Sequence, residues 1–300
     1  MLPRDMLLAT LVALLWGGNM VAIKLATNAL PPLFVLVVRF TLVAALLLPF
    51  RLRPSRHRLL PLLAVALTLG TCHFGLIFLG VARTDAATAA IAGQLGVPFS
   101  ALLAVLIFRE RFGGAQLAGL LLAFLGVIAL AGMPRLAGNL GGLAIILAAA
   151  FAWACANVLI KRLGPFEPLT LVAWVALLAI PPLALLSWST EQGQWQALMR
   201  ADATTWLAVL YTALGSSTLA YGLWYGLLAR NEVSRLVPFA LLNPVFAVAA
   251  AWLLLGEPLE PLLIAGGVLI LAGVALVEGL GRRRSVRPAG DAAGTRGSPR

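Results

Sequence analysis

WGGNMVAIK at residues 16–24 and WACANVLIK at residues 153–161 carry a Trp and a Lys with the same eight-residue separation, at an offset of 137. Further along, Gly75, Glu110, Gly119 and Gly126 match Gly222, Glu257, Gly266 and Gly273, each at an offset of 147. The extra length falls in the 189–203 loop. A shared Leu or Ala would mean little between two apolar sequences. Shared Trp, Lys, Glu and Gly in the same order mean more. The chain reads as two repeats, 1–137 and 138–281, followed by a tail at 282–300.

Composition says what each repeat is made of. Of the 300 residues, 61% are hydrophobic and 11% charged, with a mean hydropathy of +0.98. A soluble domain carries about 25% charged residues. Apolar runs of about 20 residues, the length that crosses the hydrocarbon core, recur from end to end. Backbone facing lipid must satisfy its own polar groups, so these runs are expected as helices. They lack the strict alternation of barrel strands. Turn chemistry at Pro31-Pro32, Arg51 to Arg58, Arg83-Thr84-Asp85, Arg109 to Gly114, Pro134 to Gly142, Gly164 to Pro168 and Glu257 to Pro261 separates them. The predicted spans are 6–26, 33–50, 59–81, 86–107, 115–133, 141–160, 169–188, 204–228, 235–256 and 261–280. The first resembles a signal peptide at its start, but the apolar run continues through Ile23 and reads as a retained helix. The expected fold is an all-α polytopic membrane protein of ten transmembrane helices. Five helices per repeat is an odd number, so the two repeats must insert in opposite senses, as an inverted repeat.

Charge orients the bundle. With the N-terminus in the cytoplasm, the inner segments hold Arg4, Arg51, Arg53, Arg56, Arg58, Arg109, Arg111, Lys161, Arg162, Arg230, Arg235 and six tail arginines. The outer loops hold Arg83, Arg135 and Arg200. This positive-inside bias places both termini in the cytoplasm and the protein in an inner or plasma membrane. The net charge of +11 does not indicate nucleic-acid binding, because the cations sit in short loops and the tail rather than in a basic domain. The tail, rich in Arg, Gly, Pro and Ser, is expected to be disordered and to brush anionic membrane lipids. Cys72 and Cys155 read as packing groups within helices, not as a disulfide or metal site.

The segments WGGNMVAIK, LPPLFVLVVRF, FRER at 108–111, FAWACANVLIK and YGLWYGLLARNEVSRLVPFALLNPVFAVAAAWLLLGE at 221–257 resemble the drug/metabolite transporter superfamily, in its ten-helix EamA-type branch. The second-half segments are most similar to the exporter of cysteine and O-acetylserine for which that branch is named. The resemblance implies a five-plus-five inverted repeat, a central cavity and export from the cytoplasm. Its motifs recur in carriers of many small metabolites.

Candidate substrate contacts come from polar and aromatic side chains inside the spans. Trp16 and Asn19 share the first span, and Asn19 offers donor and acceptor to a zwitterion or to a neighbouring helix. Lys24, near the outer end, reads as a carboxylate partner or a snorkelling interface anchor. Arg39 lies six residues inside the second span, where a charge is costly, and its guanidinium suits a substrate carboxylate. The competing readings are snorkelling and a gate pair. His73 is a candidate for substrate or proton, or a structural hydrogen bond. Gln94, Trp153, Asn157, Tyr221, Trp224 and Asn243 complete the set, with Tyr225 beside them. Asn243-Pro244 and Pro98 are expected as paired kinks. Trp188, Trp195 and Trp206 read as interface anchors, and Glu110 and Glu257 as caps of helix starts or partners of loop arginines.

No P-loop and no catalytic side-chain pairing is present in the sequence, and no cofactor or metal is expected. The expected function is secondary transport of a small polar, zwitterionic metabolite by a monomer, with a dimer also open. Cargo of amines, drugs or other metabolites, and a non-transporting scaffold or sensor, are the alternatives. Proton antiport follows by family analogy, whereas facilitated diffusion fits the lack of a midplane carboxylate; both stay open.

Overall fold

The computed structural model describes residues 1–50, 56–108, 113–133, 136, 140–163, 167–228, 230–231, 236 and 239–285. Arg51, Arg53, Arg109, Glu110, Arg111, Arg135, Glu232, Arg235 and the tail beyond Ser285 lie outside the described residues, as do the side chains of Arg56 and Arg58. The described residues are mostly helical: α1 (Pro3–Ala29), α2 (Pro32–Leu47), α3 (Arg56–Arg83), α4 (Ala86–Phe108), α5 (Gly114–Ala131), α6 (Gly141–Leu163), α7 (Pro168–Thr190), α8 (Ala203–Leu228), α9 (Leu242–Leu255) and α10 (Pro261–Ser285). A short helix at Gln194–Arg200 bridges α7 and α8.

Among the described residues, seven helices are long and apolar enough to cross a membrane, and Leu242–Leu255 and Pro261–Val277 are shorter apolar helices. Proline opens α1, α2, α7 and α10, where its missing N–H costs nothing. Leu7, Phe50, Leu60, Ile128, Trp188 and Leu253 are exposed on the outside of the bundle. So broad an apolar exterior suits lipid and not water.

Small residues make the closest helix crossing. Gly119 and Gly126 of α5 face Gly273 and Gly266 of α10, and a Cβ on Gly119 would come within 2.7 Å of the Gly273 carbonyl oxygen. These matched glycines let two backbones touch, as small residues do at membrane helix crossings. Elsewhere α1 packs on α9 and α8, α6 on α4 and α3, α2 on α7 and α8, and α3 on α7.

Three helices depart from regular geometry. α3 is π-helical over Ala66–His73 and α8 over Tyr211–Leu219. Such widened turns concentrate at functional sites. α4 tightens into a 3-10 turn at Gly93–Leu95. The kink expected at Asn243-Pro244 lies slightly earlier, at a turn on Leu241, and α9 begins at Leu242. Pro244 therefore sits in a first turn, where proline is tolerated. Asn243 is likewise in the first turn of α9. Cys72 also differs from expectation: it is exposed, while Cys155 is half-buried, and both are free thiols. Helices that are apolar on every side do not reveal which side meets lipid.

Candidate functional site

A cavity of about 510 Å³ occupies the middle of the bundle. All ten residues singled out from the sequence border it: Trp16, Asn19, Arg39, His73, Gln94, Trp153, Asn157, Tyr221, Trp224 and Asn243. It extends toward one end, reaching Ile160, three residues before the end of α6, and Tyr225, three before the end of α8. That end also carries the start of α1, because the helices alternate in direction. We refer to it as the terminal end, and to the opposite one as the far end.

Arg39 is 2% exposed and projects from α2 beside α8. Its Nε and Nη2 donate to Ser217 Oγ at 3.1 and 2.8 Å, and that hydroxyl in turn donates to the Thr212 carbonyl at 2.9 Å. The π-helical turn of α8 presents Ser217 this way, its donation spanning five residues back. The guanidinium also lies over the rings of Phe74 and Phe78, 5.1 and 5.6 Å from their centroids. These partners are inside the protein, so Arg39 does not snorkel to the membrane surface. Its Nη1 is buried without a hydrogen-bond partner.

Two more buried polar atoms at the cavity lack partners: Asn19 Oδ1 and Trp16 Nε1. Trp16 packs against Tyr221 and Trp224, each at 5.3 Å between ring centroids, and Tyr221 stacks on Tyr225 at 5.9 Å. His73 Nδ1 lies 2.8 Å from the Ala149 carbonyl. A carbonyl only accepts, so Nδ1 carries the hydrogen and the neutral ring keeps Nε2 as an acceptor. Among the described residues bordering the cavity there is no Asp or Glu.

Lys24 does not reach the cavity or snorkel. Its Nζ donates to the carbonyls of Val81, Ala82 and Thr84, at 3.0, 3.4 and 2.8 Å, closing the C-terminal end of α3. Glu257 is buried and accepts from the backbone N–H groups of Ala86 and Ala87, at 2.8 and 3.0 Å, at the start of α4. Of its two expected roles, it fills the helix cap. Glu191 accepts from Leu33 and Phe34 at the start of α2, at 2.7 and 3.0 Å, and from the Ser187 hydroxyl at 2.6 Å. Cations at helix C-termini and anions at N-termini complement the backbone dipoles. The far end is packed around them by Leu30, Leu33, Val81 and Ala86, all buried. Sequence reasoning missed Ser217 and Glu191 because their partners lie 178 and 158 residues away.

The family model for EamA-like transporters matches the chain twice, over residues 4–132 and 140–279. The chain belongs to the EamA-like transporter family. It is 38% identical over 297 residues to a "Probable amino-acid metabolite efflux pump" of Salmonella typhimurium, covering 96% of this chain and 99% of the relative. It is 36% identical over 295 residues to a protein of the same description from Escherichia coli K12, covering 95% and 98%. A solved crystal structure shares the fold of this EamA-like chain, with a TM-score of 0.65 and 21% identity over 94% of this chain and 98% of that one. The EamA-like chain is thus a multi-pass membrane protein of transporter type. Among its described residues no group of three or more His, Cys, Asp or Glu could hold a metal.

Proposed function

We propose that this chain is a secondary transporter that exports small zwitterionic metabolites, amino acids or derivatives such as cysteine and O-acetylserine, by alternating access. One observation carries the reading. A nearly inaccessible guanidinium with an unpartnered Nη1 borders a cavity large enough for an amino acid. A buried donor without an acceptor is costly and is retained where a ligand completes it. The fork geometry of Arg fits a carboxylate. Amines and cationic drugs suit the cavity less, since the described lining offers them no counter-charge. A scaffold would have no use for the cavity, and a two-repeat architecture favours a carrier over a sensor.

Alternating access needs two related packings. The paired family matches and the contacts between helices support two repeats, and the antiparallel crossing of the equivalent helices α5 and α10, Gly119 on Gly273 and Gly126 on Gly266, supports their inversion. Exchanging α1–α5 with α6–α10 turns the α1–α9 contact into α6–α4, and α3–α6 into α8–α1, both of which exist. The α5–α10 and α2–α7 contacts map onto themselves. We take ten spans with cytoplasmic termini in an inner membrane, so the terminal end opens to the cytoplasm and the far end is closed. The 17 inner cations that support this include the loop arginines that lie outside the described residues.

Counterflow in proteoliposomes tests the site. R39K is expected to fold normally and to lose roughly tenfold or more in cysteine transport, the cost of degrading a hydrogen-bonded charge pair. Cysteamine, which lacks the carboxylate, is expected to be affected far less. Equal losses for both compounds, or a fully active R39K, would remove carboxylate recognition. Proton coupling is tested at His73: H73N is expected to abolish the response to an imposed pH gradient while leaving equilibrium exchange. An unchanged response would return His73 to packing.

A further inference from the structure

The unpartnered atoms at the cavity differ in sense. Arg39 Nη1 and Trp16 Nε1 can only donate, whereas Asn19 Oδ1 can only accept. Asn19 is 7% exposed, so its oxygen has been withdrawn from water without receiving a donor in return. A buried amide oxygen left in this condition costs free energy until something donates to it.

Position along the helices brings the three together. Asn19 lies ten residues from the far end of α1, and Arg39 seven residues from the far end of α2, so they sit about 15 and 10 Å deep. Trp16 is three residues before Asn19, on the same face of α1. Tyr221 is four residues after Ser217, the partner of Arg39, on the same face of α8. Trp16 and Tyr221 meet at 5.3 Å. A continuous wall therefore runs from the guanidinium through Tyr221 and Trp16 to the Asn19 oxygen.

This wall sorts charge. A carboxylate is drawn to Arg39. An ammonium is repelled from it and has no carboxylate to go to among the described lining residues. What the wall offers an ammonium is the buried, unpartnered Asn19 oxygen, one helical turn from Trp16, whose ring packs on Trp224 at 5.3 Å between centroids. Aromatic faces attract cations, more so when both are desolvated.

Taking the zwitterion reading as its basis, we infer that Asn19, backed by Trp16, is the ammonium subsite of the cavity and sets its selectivity for amino acids over plain carboxylic acids. The subsite is neutral. It therefore admits an ammonium without trapping it, which is what release to the other side requires.

The test uses the full-length chain in proteoliposomes, measuring counterflow of labelled cysteine with three unlabelled competitors: cysteine, cysteamine and 3-mercaptopropionate. The second lacks the carboxylate and the third lacks the ammonium. N19A is expected to weaken cysteine and cysteamine by roughly tenfold, the loss of one hydrogen bond to a charged group. Competition by 3-mercaptopropionate is expected to stay within about twofold, which also serves as the internal control for folding. N19D has the same shape and adds an acceptor charge, and is expected to shift preference toward cysteamine. Equal weakening of all three competitors by N19A, or no weakening, overturns the subsite. So does an N19D preference that does not move. Wild-type protein that gives no cysteine counterflow, or in which R39K has no effect, overturns the zwitterion reading itself and is distinct from either result.

Discussion

The two ends of the bundle are held by different kinds of contact. At the far end, Lys24, Glu191 and Glu257 each grip the backbone at the end of a helix on another part of the chain. At the terminal end, Asp5 of α1 meets side chains: Arg230 Nη2 at 3.4 Å and the Asn231 amide at 3.0 Å. A side-chain pair can be rebuilt by exchanging partners. A carboxylate that accepts from backbone N–H groups cannot pass those partners to another side chain by exchanging charges. The far end is closed by charges whose partners are fixed by the fold, and the cavity opens away from them.

The largest expected effect concerns which end faces which compartment. Single cysteines placed near Arg83 and Glu191 are expected to react with an impermeant maleimide in sealed cells, and cysteines in the tail are not. Labelling of the tail from outside would reverse the assignment of both ends and with it the direction of export.

Next in size is Glu257. E257A leaves the N–H groups of Ala86 and Ala87 buried and unpaired, since both residues are essentially inaccessible. Hydrogen bonds to charged groups contribute about 1.5–3 kcal/mol each. The variant is expected to raise labelling of a cysteine at Ala176, in the cavity, from the far side by roughly tenfold or more, in a background with Cys72 and Cys155 replaced. The double exchange K24E/E257K is expected to give no rescue. Restoration by that exchange would show that the far end is closed by a side-chain ion pair after all.

The smallest effect is expected at Asp5. Asp5 is buried but Arg230 is 51% exposed, and an ion pair with one member in solvent contributes about 1 kcal/mol. D5N is expected to change transport by less than about threefold, within that amount. The exchange D5R/R230D is expected to return it toward wild type. A loss from D5N as large as that from E257A would erase the contrast between the ends.

Much of this was legible in the sequence for a physical reason. Trp16 lies on the cavity wall, and four of the matched glycines, Gly119, Gly126, Gly266 and Gly273, lie at a helix crossing, where size and shape are constrained. Arg39 stood out because a charge within a span must have a purpose. Other features left no trace. Nothing in the residues 66–73 or 211–219 announces a π-helical turn, which arises from packing between distant helices. Ser217 is an ordinary serine until Arg39 is set beside it. Lys24, which reads from the sequence as a carboxylate partner or an interface anchor, is neither, because its partners are backbone carbonyls and a carbonyl is present at every position. Cys72 was placed inward because apolar helices look alike on the lipid side and the core side.

The guanidinium of Arg39 has an electrical consequence. With no carboxylate among the described lining residues, the empty cavity holds one fixed positive charge. When the aqueous connection passes from one end to the other, that charge moves through the membrane field without moving through space. An elementary charge crossing the full potential gains or loses about 2.3 kcal/mol per 100 mV. A zwitterion in the cavity leaves this work unchanged, and a singly charged anion cancels it. The return of the unloaded protein is therefore the voltage-dependent step when the cargo is an anion, and both steps are voltage-dependent when it is an amino acid. A potassium diffusion potential imposed on proteoliposomes, with cysteine and 3-mercaptopropionate compared as cargo, reads the difference directly.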